Sequence, residues 1–179
     1  MIFKRLQIKN FRSYYGENEF VFREKGLTLI VGGNGDGKTT LFEALQWLFD
    51  TNMMQKDTSL INFSEMRKSE MEIGDTADVS VTLDFFHNGD KRIVKSFTVT
   101  RVANLSDGQP AFKTSTLSFM GYESDGVERV KISGGGETMV KRYYDAFIRR
   151  FSLFKGESTL NVFNDPTALQ QLVDTFSNV

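Results

Sequence analysis

A glycine-rich stretch with one lysine and one threonine carries the clearest chemistry in the sequence. Residues 32–39 read GGNGDGKT and fit the spacing G-x-x-x-x-G-K-[ST], the phosphate-binding loop known as Walker A. Phosphate oxygens need many N–H donors around a concave backbone, and glycines let the chain turn and the phosphate approach without a Cβ in the way. This stretch is therefore predicted to bind the polyphosphate of ATP, together with Mg²⁺.

Individual residue types in the loop have distinct predicted roles. Lys38 supplies a mobile positive charge for the β and γ phosphates and is the predicted catalytic residue, and the Thr39 hydroxyl is the predicted Mg²⁺ ligand. Asp36 is unusual, because a carboxylate near phosphate repels it unless the side chain points outward to solvent. The predicted nucleotide-binding residues of the loop are Gly33, Asn34, Gly35, Asp36, Gly37, Lys38, Thr39 and Thr40.

The segments on either side of the loop support this interpretation. Residues 27–31 form an apolar, β-branched run that predicts a buried strand. A helical pattern follows over 38–49, with Leu41, Leu45 and Leu48 on one face. The start of this helix adds unsatisfied N–H groups and the positive end of the helix dipole. The motif thus has the strand, loop and helix that it requires.

Composition narrows the class of protein. The chain has 179 residues, 40% of them hydrophobic, which suits one domain with a packed core. It has no cysteine, so neither a disulfide nor a thiolate metal site can form. The net charge of −1 gives no overall basic footprint for nucleic acid, and no stretch has the pattern of a membrane span or a signal peptide. We expect a cytoplasmic protein with no membrane partner.

Hydrophobic alternation and turn signals predict the remaining elements. Six further strands are predicted, at 2–9, 19–22, 77–86, 91–102, 111–122 and 127–132. Three further helices are predicted, at 64–71, 137–151 and 167–176. Ser64 is a candidate cap, and Asn88-Gly89 predicts a hairpin turn beside His87, the one histidine. The predicted fold class is α/β, with a mixed sheet around the phosphate-loop strand and an antiparallel β layer.

Several short segments together resemble one family. They are IKNFRSY at 8–14, the Asn-Gly form of the phosphate loop, and EALQWLF at 43–49. This combination resembles the N-terminal half of SMC-like ATPase heads, in particular the SbcC type and the DndD type of DNA phosphorothioation systems. The segment FSLFKGE at 151–157 is similar to a family segment that ends in Gln-Gly-Glu. The resemblance implies a P-loop NTPase fold of the ABC-ATPase type.

The resemblance also implies roles for residues outside the loop. Arg12, in the Asn-Phe-Arg turn, is expected to reach the nucleotide phosphates. Lys155 stands where the family has a glutamine that helps to hold Mg²⁺; a protonated lysine cannot ligate a cation, so Glu157 is a second candidate for the metal. The family's strand ending in Asp-Glu is missing, so no residue is an obvious base for the attacking water. We therefore expect this segment alone to bind ATP with little or no hydrolysis.

Two groups of residues each have two interpretations. Residues 133–137, SGGGE, resemble the family's signature loop, which donates to the γ-phosphate of a partner, but a glycine-rich cap of the next helix is the favoured interpretation. A basic group on the predicted helix at 137–151 could contact DNA phosphates, although a solvated helix face is favoured. This group comprises Lys141, Arg142, Arg149 and Arg150.

These predictions define a domain organisation and a function. Residues 1–163 are the predicted ATP-binding lobe, with a hairpin-rich insertion at about 75–132, and residues 164–179 form a terminal helix that would begin a coiled coil. The implied protein is an ATPase half-head acting on DNA in repair, recombination, anti-phage defence or DNA modification. ATP would drive two heads together.

The implied partners are the C-terminal lobe of the same ATPase, a second head in a homodimer, DNA, and a nuclease or defence protein. A non-catalytic nucleotide-binding assembly module is the alternative function. A transporter-type ABC ATPase is less favoured, because KNFRS at 9–13 argues against it and no membrane partner is indicated.

Overall fold

A computed structural model describes residues 1–23, 28, 30–51, 60–124 and 127–144. Its strands are β1 (Ile2–Lys9), β2 (Glu17–Val21), β3 (Thr76–Phe86), β4 (Asp90–Val102), β5 (Ala111–Thr114), β6 (Ser118–Ser124) and β7 (Arg129–Lys131). Its helices are α1 (Lys38–Phe49), α2 (Glu65–Glu70) and α3 (Gly135–Tyr143), with a 3-10 turn at Leu60–Asn62. The described chain combines helices and strands, as the predicted α/β class requires.

All strands in the described residues belong to one sheet, and every pairing in it is antiparallel. The order is β2-β1-β3-β4-β6-β7, and β5 also pairs with β4. Successive side chains on a strand point to opposite faces, so one alternate set can be apolar. Leu6 of β1, Leu83 of β3 and Ile93 of β4 lie side by side in the register and are 0–1% exposed. The long strands predicted here are confirmed.

Helix α1 packs on the inward face of this sheet and closes the core. Leu41, Leu45 and Leu48 recur at helical spacing and are almost fully buried, which turns one stripe of the helix toward the strands. Aromatic rings fill the space beside it, and Phe49 lies with its ring centroid 4.1 Å from that of Tyr144. The helix that follows the phosphate loop is therefore held by burial along its length.

The single strand predicted at 111–122 is wrong: the structure has two strands, β5 and β6, on the same edge of β4. Thr114 pairs with Val99 and Ser118 pairs with Ser96. Three residues, 115–117, therefore lie opposite two residues of β4, which is the pattern of a β-bulge. The extra residue reverses the inward alternation, from even positions such as Phe112 in β5 to odd positions such as Phe119 in β6, and a single strand over 111–122 does not allow for this reversal.

The buried strand predicted at 27–31 is also corrected. Thr28, Ile30 and Val31 are the described residues of this segment, and none of them is in a strand. Ile30 is 45% exposed and Val31 is 80% exposed. A strand forms only where a neighbour accepts and donates backbone hydrogen bonds, and none of the described strands pairs with Thr28, Ile30 or Val31.

Helix α1 has the predicted bounds, and the other two described helices follow the predictions with shifted ends. Ser64 is the N-cap residue of α2 as expected, but its hydroxyl makes no capping bond and is buried without a hydrogen-bond partner among the described residues. Helix α3 begins at Gly135, earlier than expected, and Tyr144 has left the helical conformation. The predictions at 145–151, 151–157 and 167–176 lie outside the described residues. No helix in the described part of the chain is long and apolar enough to cross a membrane.

The hairpin between β3 and β4 is confirmed at the predicted position. Asn88 and Gly89 have φ values of +50° and +115°, the left-handed conformations that an Asn-Gly turn supplies at low cost. The His87 N–H donates to the Gly89 carbonyl at 3.0 Å. His87 is thus part of a turn, as the sequence predicts.

Candidate phosphate-binding site

The glycine-rich loop ends at the start of α1 in a conformation that glycine favours. Gly35 and Gly37 have φ values of +94° and +82°, in the left-handed region where a Cβ causes strain. Gly37 is the N-cap residue of α1, and no side chain caps the helix. The N–H groups of the first turn are therefore left for solvent or an anion. Residues 31–36 are exposed, so a ligand has access to them.

Lys38 folds back over the loop that precedes it. Its Nζ donates to the carbonyl oxygens of Gly32 at 2.7 Å and Gly33 at 2.5 Å. Both acceptors are on exposed residues, where the net stabilisation from a hydrogen bond is small because water competes for it. The ammonium is thus placed at the loop and held by bonds that a phosphate can replace.

The Asp36 carboxylate also turns into the loop instead of outward. Its Oδ2 accepts a hydrogen bond from the Gly33 N–H at 2.5 Å. A Cβ placed on Gly32 would lie 2.9 Å from the same oxygen, which shows how closely the carboxylate approaches the loop backbone. A negative charge therefore occupies one of the N–H donors that the motif is expected to offer to phosphate.

The two threonines after Lys38 have different surroundings. Thr39 is exposed in the first turn of α1, where its hydroxyl suits a Mg²⁺ ligand. Thr40 is 8% exposed, and its Oγ1 accepts a hydrogen bond from the Ser13 hydroxyl at 2.8 Å. The donors of the loop, the free helix start and the exposed Thr39 together fit a Mg²⁺-bound triphosphate, whereas Thr40 ties the helix to the turn at 10–16.

The turn at 10–16 supports the end of the loop. Asn10 is 6% exposed with φ +48°; its Nδ2 donates to the Asp78 carbonyl at 2.9 Å, and its Oδ1 accepts from the Gly16 N–H at 3.0 Å. Tyr14 donates its hydroxyl to the Gly37 carbonyl at 3.3 Å, and burial raises the pKa of this phenol. A Cβ on Gly37 would lie 3.3 Å from the Tyr14 ring, so glycine also suits this close approach.

Arg12 lies beside α1, one helical turn beyond Thr39. Its NH1 forms an ion pair with Glu43 at 2.6 Å, and its Nε donates to the Asn62 Oδ1 at 3.0 Å. Thr39 and Glu43 are four residues apart and so share a face of the helix. The side chain expected to reach the phosphates is therefore near the start of α1, with its charge already paired to a carboxylate.

Lys95 is a buried charge that the sequence motifs do not single out, and it holds the end of α1 that is opposite to the phosphate loop. It is 2% exposed, and its Nζ donates to the carbonyl oxygens of Trp47 at 2.8 Å and Asp50 at 2.6 Å, at the C-terminal end of α1. Burial lowers its pKa to about 8, although the Asp50 charge opposes the shift. The sequence does indicate this burial: Lys95 lies between Ile93 and Phe97 at the alternate positions of β4 that face inward.

The glycine run at 133–137 is explained by packing. A Cβ on Gly136 would lie 2.4 Å from the Phe119 ring, and one on Gly135 would lie 2.6 Å from the Phe119 carbonyl oxygen. Gly134 is the N-cap residue of α3. The start of α3 therefore lies directly on β6 and needs residues without side chains, which supports the helix-cap interpretation.

The basic residues of α3 are partly paired. Lys141 forms an ion pair with Glu137 at 2.6 Å along one face of the helix. The Arg142 guanidinium lies 5.7 Å from the centroid of the Tyr143 ring. Arg149, Arg150 and the metal candidate Glu157 lie outside the described residues, so this group is described only at its first two members.

A known protein family matches most of this chain. The family model described as AAA domain (AAA_23) matches residues 5–176. The chain belongs to this AAA domain family. The match includes the turn at 10–16, the phosphate loop and the whole described sheet from β2 onward.

Relatives of this AAA domain include much longer proteins. The chain is 31% identical over 175 residues to the DNA replication and repair protein RecF of Leptospira interrogans, an alignment that covers 89% of this chain and 42% of the relative. It is 31% identical over 104 residues to the DNA double-strand break repair Rad50 ATPase of Archaeoglobus fulgidus, which covers 58% of this chain and 10% of that protein. The chain thus spans less than half the length of these relatives.

A solved structure supports the fold. It comes from work on ATP-driven dimerization and DNA-stimulated activation of SMC ATPases, and it matches with a TM-score of 0.50 and 15% identity over 97% of this chain and 98% of that chain. The predicted resemblance to the N-terminal half of an SMC/SbcC-like ATPase head is confirmed, and so is the fold class.

Proposed function

We propose that this AAA domain is the Mg²⁺-ATP-binding lobe of an SMC/SbcC-like ATPase that acts on DNA. The observation that carries the proposal is the exposed glycine loop at an uncapped helix start, with the Lys38 ammonium lying on it. Backbone N–H groups, a helix dipole and a mobile cation converge there on one accessible space. The relatives are named for DNA replication and repair and for double-strand break repair, which supports a role at DNA.

Each residue has a proposed task at the bound nucleotide. The N–H groups of Gly33 to Thr40 donate to phosphate oxygens, and Lys38 exchanges its carbonyl acceptors for the β and γ phosphates. Thr39 offers its hydroxyl to Mg²⁺, which when bound neutralises developing charge on the phosphates. Arg12 approaches the same end of α1 if it releases Glu43. Asp36 must leave the Gly33 N–H before that donor can serve a phosphate.

ATP hydrolysis is proposed to need a carboxylate that activates water, and none of the described residues places one at the phosphate loop. Asp84 lies in the apolar stretch 81–85, but it is bound by Arg5 and Arg92 on the outward face of the sheet. Helix α1 lies on the inward face, so Asp84 cannot activate water at the phosphate loop. The C-terminal lobe and a second head engaged through ATP are the proposed sources of the missing groups, with residues 1–163 as the lobe and 164–179 leading out of it.

Mg²⁺-ATP titration of a Lys38→Ala variant tests the proposal. We expect roughly 10- to 100-fold weaker binding, since a hydrogen bond to a charged group is worth about 1.5–3 kcal/mol. The matched control is Lys113→Ala, which removes the same charge from an exposed position on β5. Calorimetry should show unchanged affinity for the control. Equal affinities for both variants would mean that ATP binds elsewhere or not at all.

The second candidate function, a nucleotide-binding module without turnover, is favoured by the commitment of Asp84 to arginines. Phosphate release by the full chain with Mg²⁺-ATP separates the two candidates. We expect binding without multiple turnovers unless a C-terminal lobe is added. Steady hydrolysis by the chain alone would show that a catalytic carboxylate is present in it.

A further inference from the structure

Three arginines from three strands converge on one carboxylate on the outward face of the sheet. Arg5 of β1 donates to the Asp84 carboxylate from Nε at 3.0 Å and NH2 at 2.8 Å, and Arg92 of β4 donates from Nε at 2.5 Å and NH2 at 2.8 Å. Arg129 of β7 brings its NH2 within 4.0 Å of the same group. We call Arg5, Asp84, Arg92 and Arg129 the arginine cluster.

The cluster is separated from the phosphate loop by the sheet itself. Arg5, Asp84 and Arg92 are direct neighbours in the strand register, one residue out of phase with the buried Leu6 and Leu83. Side chains alternate between the two faces of a strand, so the cluster faces away from the core and from α1. A nucleotide held at the start of α1 therefore does not occupy this position.

Positive charge exceeds negative charge at the cluster. The Asp84 side chain is 12% exposed and serves three guanidinium groups. Within the described part of the chain, one further carboxylate pairs with any of them, Glu19 at 3.4 Å from Arg5. Burial raises the pKa of Asp84, but the bonds from Arg92 and Arg5 outweigh this and hold it below its usual range. The carboxylate thus stays ionised and still neutralises only part of the charge around it.

Among the described residues, the ion pairs beside the cluster do not cancel this excess. Lys4 forms an ion pair with Asp90 at 2.7 Å, and Lys91 forms one with Glu123 at 3.3 Å, so these two lysines are matched by carboxylates of their own. Arg129 is the most exposed of the three arginines, with its side chain 49% exposed against 36% for Arg5 and 22% for Arg92. Its guanidinium is available to an anion that approaches from solvent.

A cavity of about 240 Å³ lies over the cluster. It is bounded by the three arginines and Asp84 and, among others, by Tyr122 and Ser124 of β6. This volume holds several waters, each of which takes about 30 Å³ in the liquid, and so it admits a phosphate group with part of its hydration. Guanidinium groups present paired N–H donors that match phosphate oxygens, and Asp84 fixes their planes in advance.

We propose that the arginine cluster binds a backbone phosphate of DNA. The choice of DNA as the source of that phosphate rests on the proposed function. Paired guanidinium donors already held by Asp84 suit the oxygens of a backbone phosphate, and a contact to the backbone carries no sequence information by itself. The contact lies on the sheet face opposite α1, so DNA and nucleotide can bind at the same time.

Binding of a short fluorescent duplex to the full chain, measured by anisotropy over a range of salt, tests this contact. The variant is Arg129→Gln, because Arg129 is half-exposed and its loss leaves Asp84 with two arginines. We expect roughly 3- to 10-fold weaker binding at low salt and a slope of log Kd against log salt that falls by about 1, as for one lost phosphate contact. Arg129→Lys should keep the salt slope.

The matched control is Lys113→Gln. Lys113 pairs with Thr100 on the same outward face, eight residues along β4 from Arg92, or about 27 Å at about 3.4 Å per residue. The Lys113→Gln substitution removes the same charge and should leave the DNA affinity and the salt slope unchanged. Equal losses in both variants would show a general charge effect and overturn the proposal.

Two further measurements identify the phosphate source. Mg²⁺-ATP affinity should be the same in Arg129→Gln as in the parent chain, and inorganic phosphate should compete only weakly with the duplex at constant ionic strength. If the variant loses ATP affinity and keeps DNA affinity, the cluster is a nucleotide site and the proposal fails. If the parent chain binds ATP but no duplex, this proposal fails while the phosphate-loop function stands.

Discussion

The antiparallel sheet and the phosphate loop are stabilised in opposite ways. In the sheet, apolar residues such as Leu83 and Val81 are fully buried and have paired neighbours on both sides. In the loop, Lys38 and Asp36 bond to the backbone of the loop itself, and Val31 beside it is 80% exposed. The buried positions of the sheet thus have their neighbours within the described residues, whereas the glycine loop and Val31 are exposed.

This difference means that the sheet and the loop should control different properties of the chain. Burial of apolar side chains dominates folding free energy, so the sheet should determine whether the chain folds. The loop contributes little burial, so its residues should determine nucleotide affinity with little effect on folding. Helix α1 connects the two regions, because its first turn belongs to the loop and its last carbonyl groups are bound by Lys95 of the sheet.

A cavity in the sheet core should reduce stability more than any other change considered. Leu83→Ala should lower the free energy of unfolding by roughly 2–5 kcal/mol, because the side chain is 0% exposed and its removal leaves a cavity. Val31→Ala, beside the loop, should change it by less than about 0.5 kcal/mol. Urea denaturation measures both. If Val31→Ala costs as much as Leu83→Ala, the segment beside the loop is part of the core and the contrast is wrong.

Lys95, which connects β4 to the end of α1, should make the stability of the chain depend on pH. The Lys95 pKa is about 8 in the folded chain against 10.5 for an ordinary lysine, so between these values the unfolded state binds more protons. Stability from this group therefore rises with pH across that window, by about 3 kcal/mol at about 1.4 kcal/mol per pKa unit. Between pH 8 and pH 10.5, the free energy of unfolding of the parent chain should therefore rise by this amount relative to that of Lys95→Met. Urea denaturation at each pH measures the difference.

An exposed lysine provides the control for this pH dependence. Lys113→Met should show a constant difference from the parent chain over the same window, because Lys113 lies on the surface. A flat difference for Lys95→Met as well would show that the ammonium is solvated and that α1 is not held by a buried lysine.

The sequence predicts those parts of the molecule that depend on local spacing. Glycines at fixed offsets from Lys38 predict the phosphate loop, and the period of Leu41, Leu45 and Leu48 predicts α1 with its observed bounds. Alternation predicts β1, β3 and β4 for the same reason. The segment at 27–31 has an equally clear pattern, but a strand also needs a partner, and a pattern cannot say whether one is present.

The features that escape prediction depend on residues distant in the chain. Arg5 and Asp84 are 79 residues apart and meet only because β1 pairs with β3 in one register. Lys95 reaches α1 only because β4 lies beneath the end of that helix. The direction of the Asp36 side chain is set by a choice of rotamer, which no spacing rule encodes.

The charge of Asp36 should change nucleotide affinity only modestly. Asp36→Asn removes the charge that lies beside the phosphate position and weakens the hold on the Gly33 N–H. A unit charge about 4 Å from another is worth about 1 kcal/mol in water, so Mg²⁺-ATP should bind about fivefold more tightly. The control is Asp107→Asn, since Asp107 also accepts a backbone N–H, from Gln109, in an exposed turn. Weaker binding by Asp36→Asn alone would mean that the carboxylate holds the loop in its binding conformation, and that the loop, like the sheet, depends on its internal contacts.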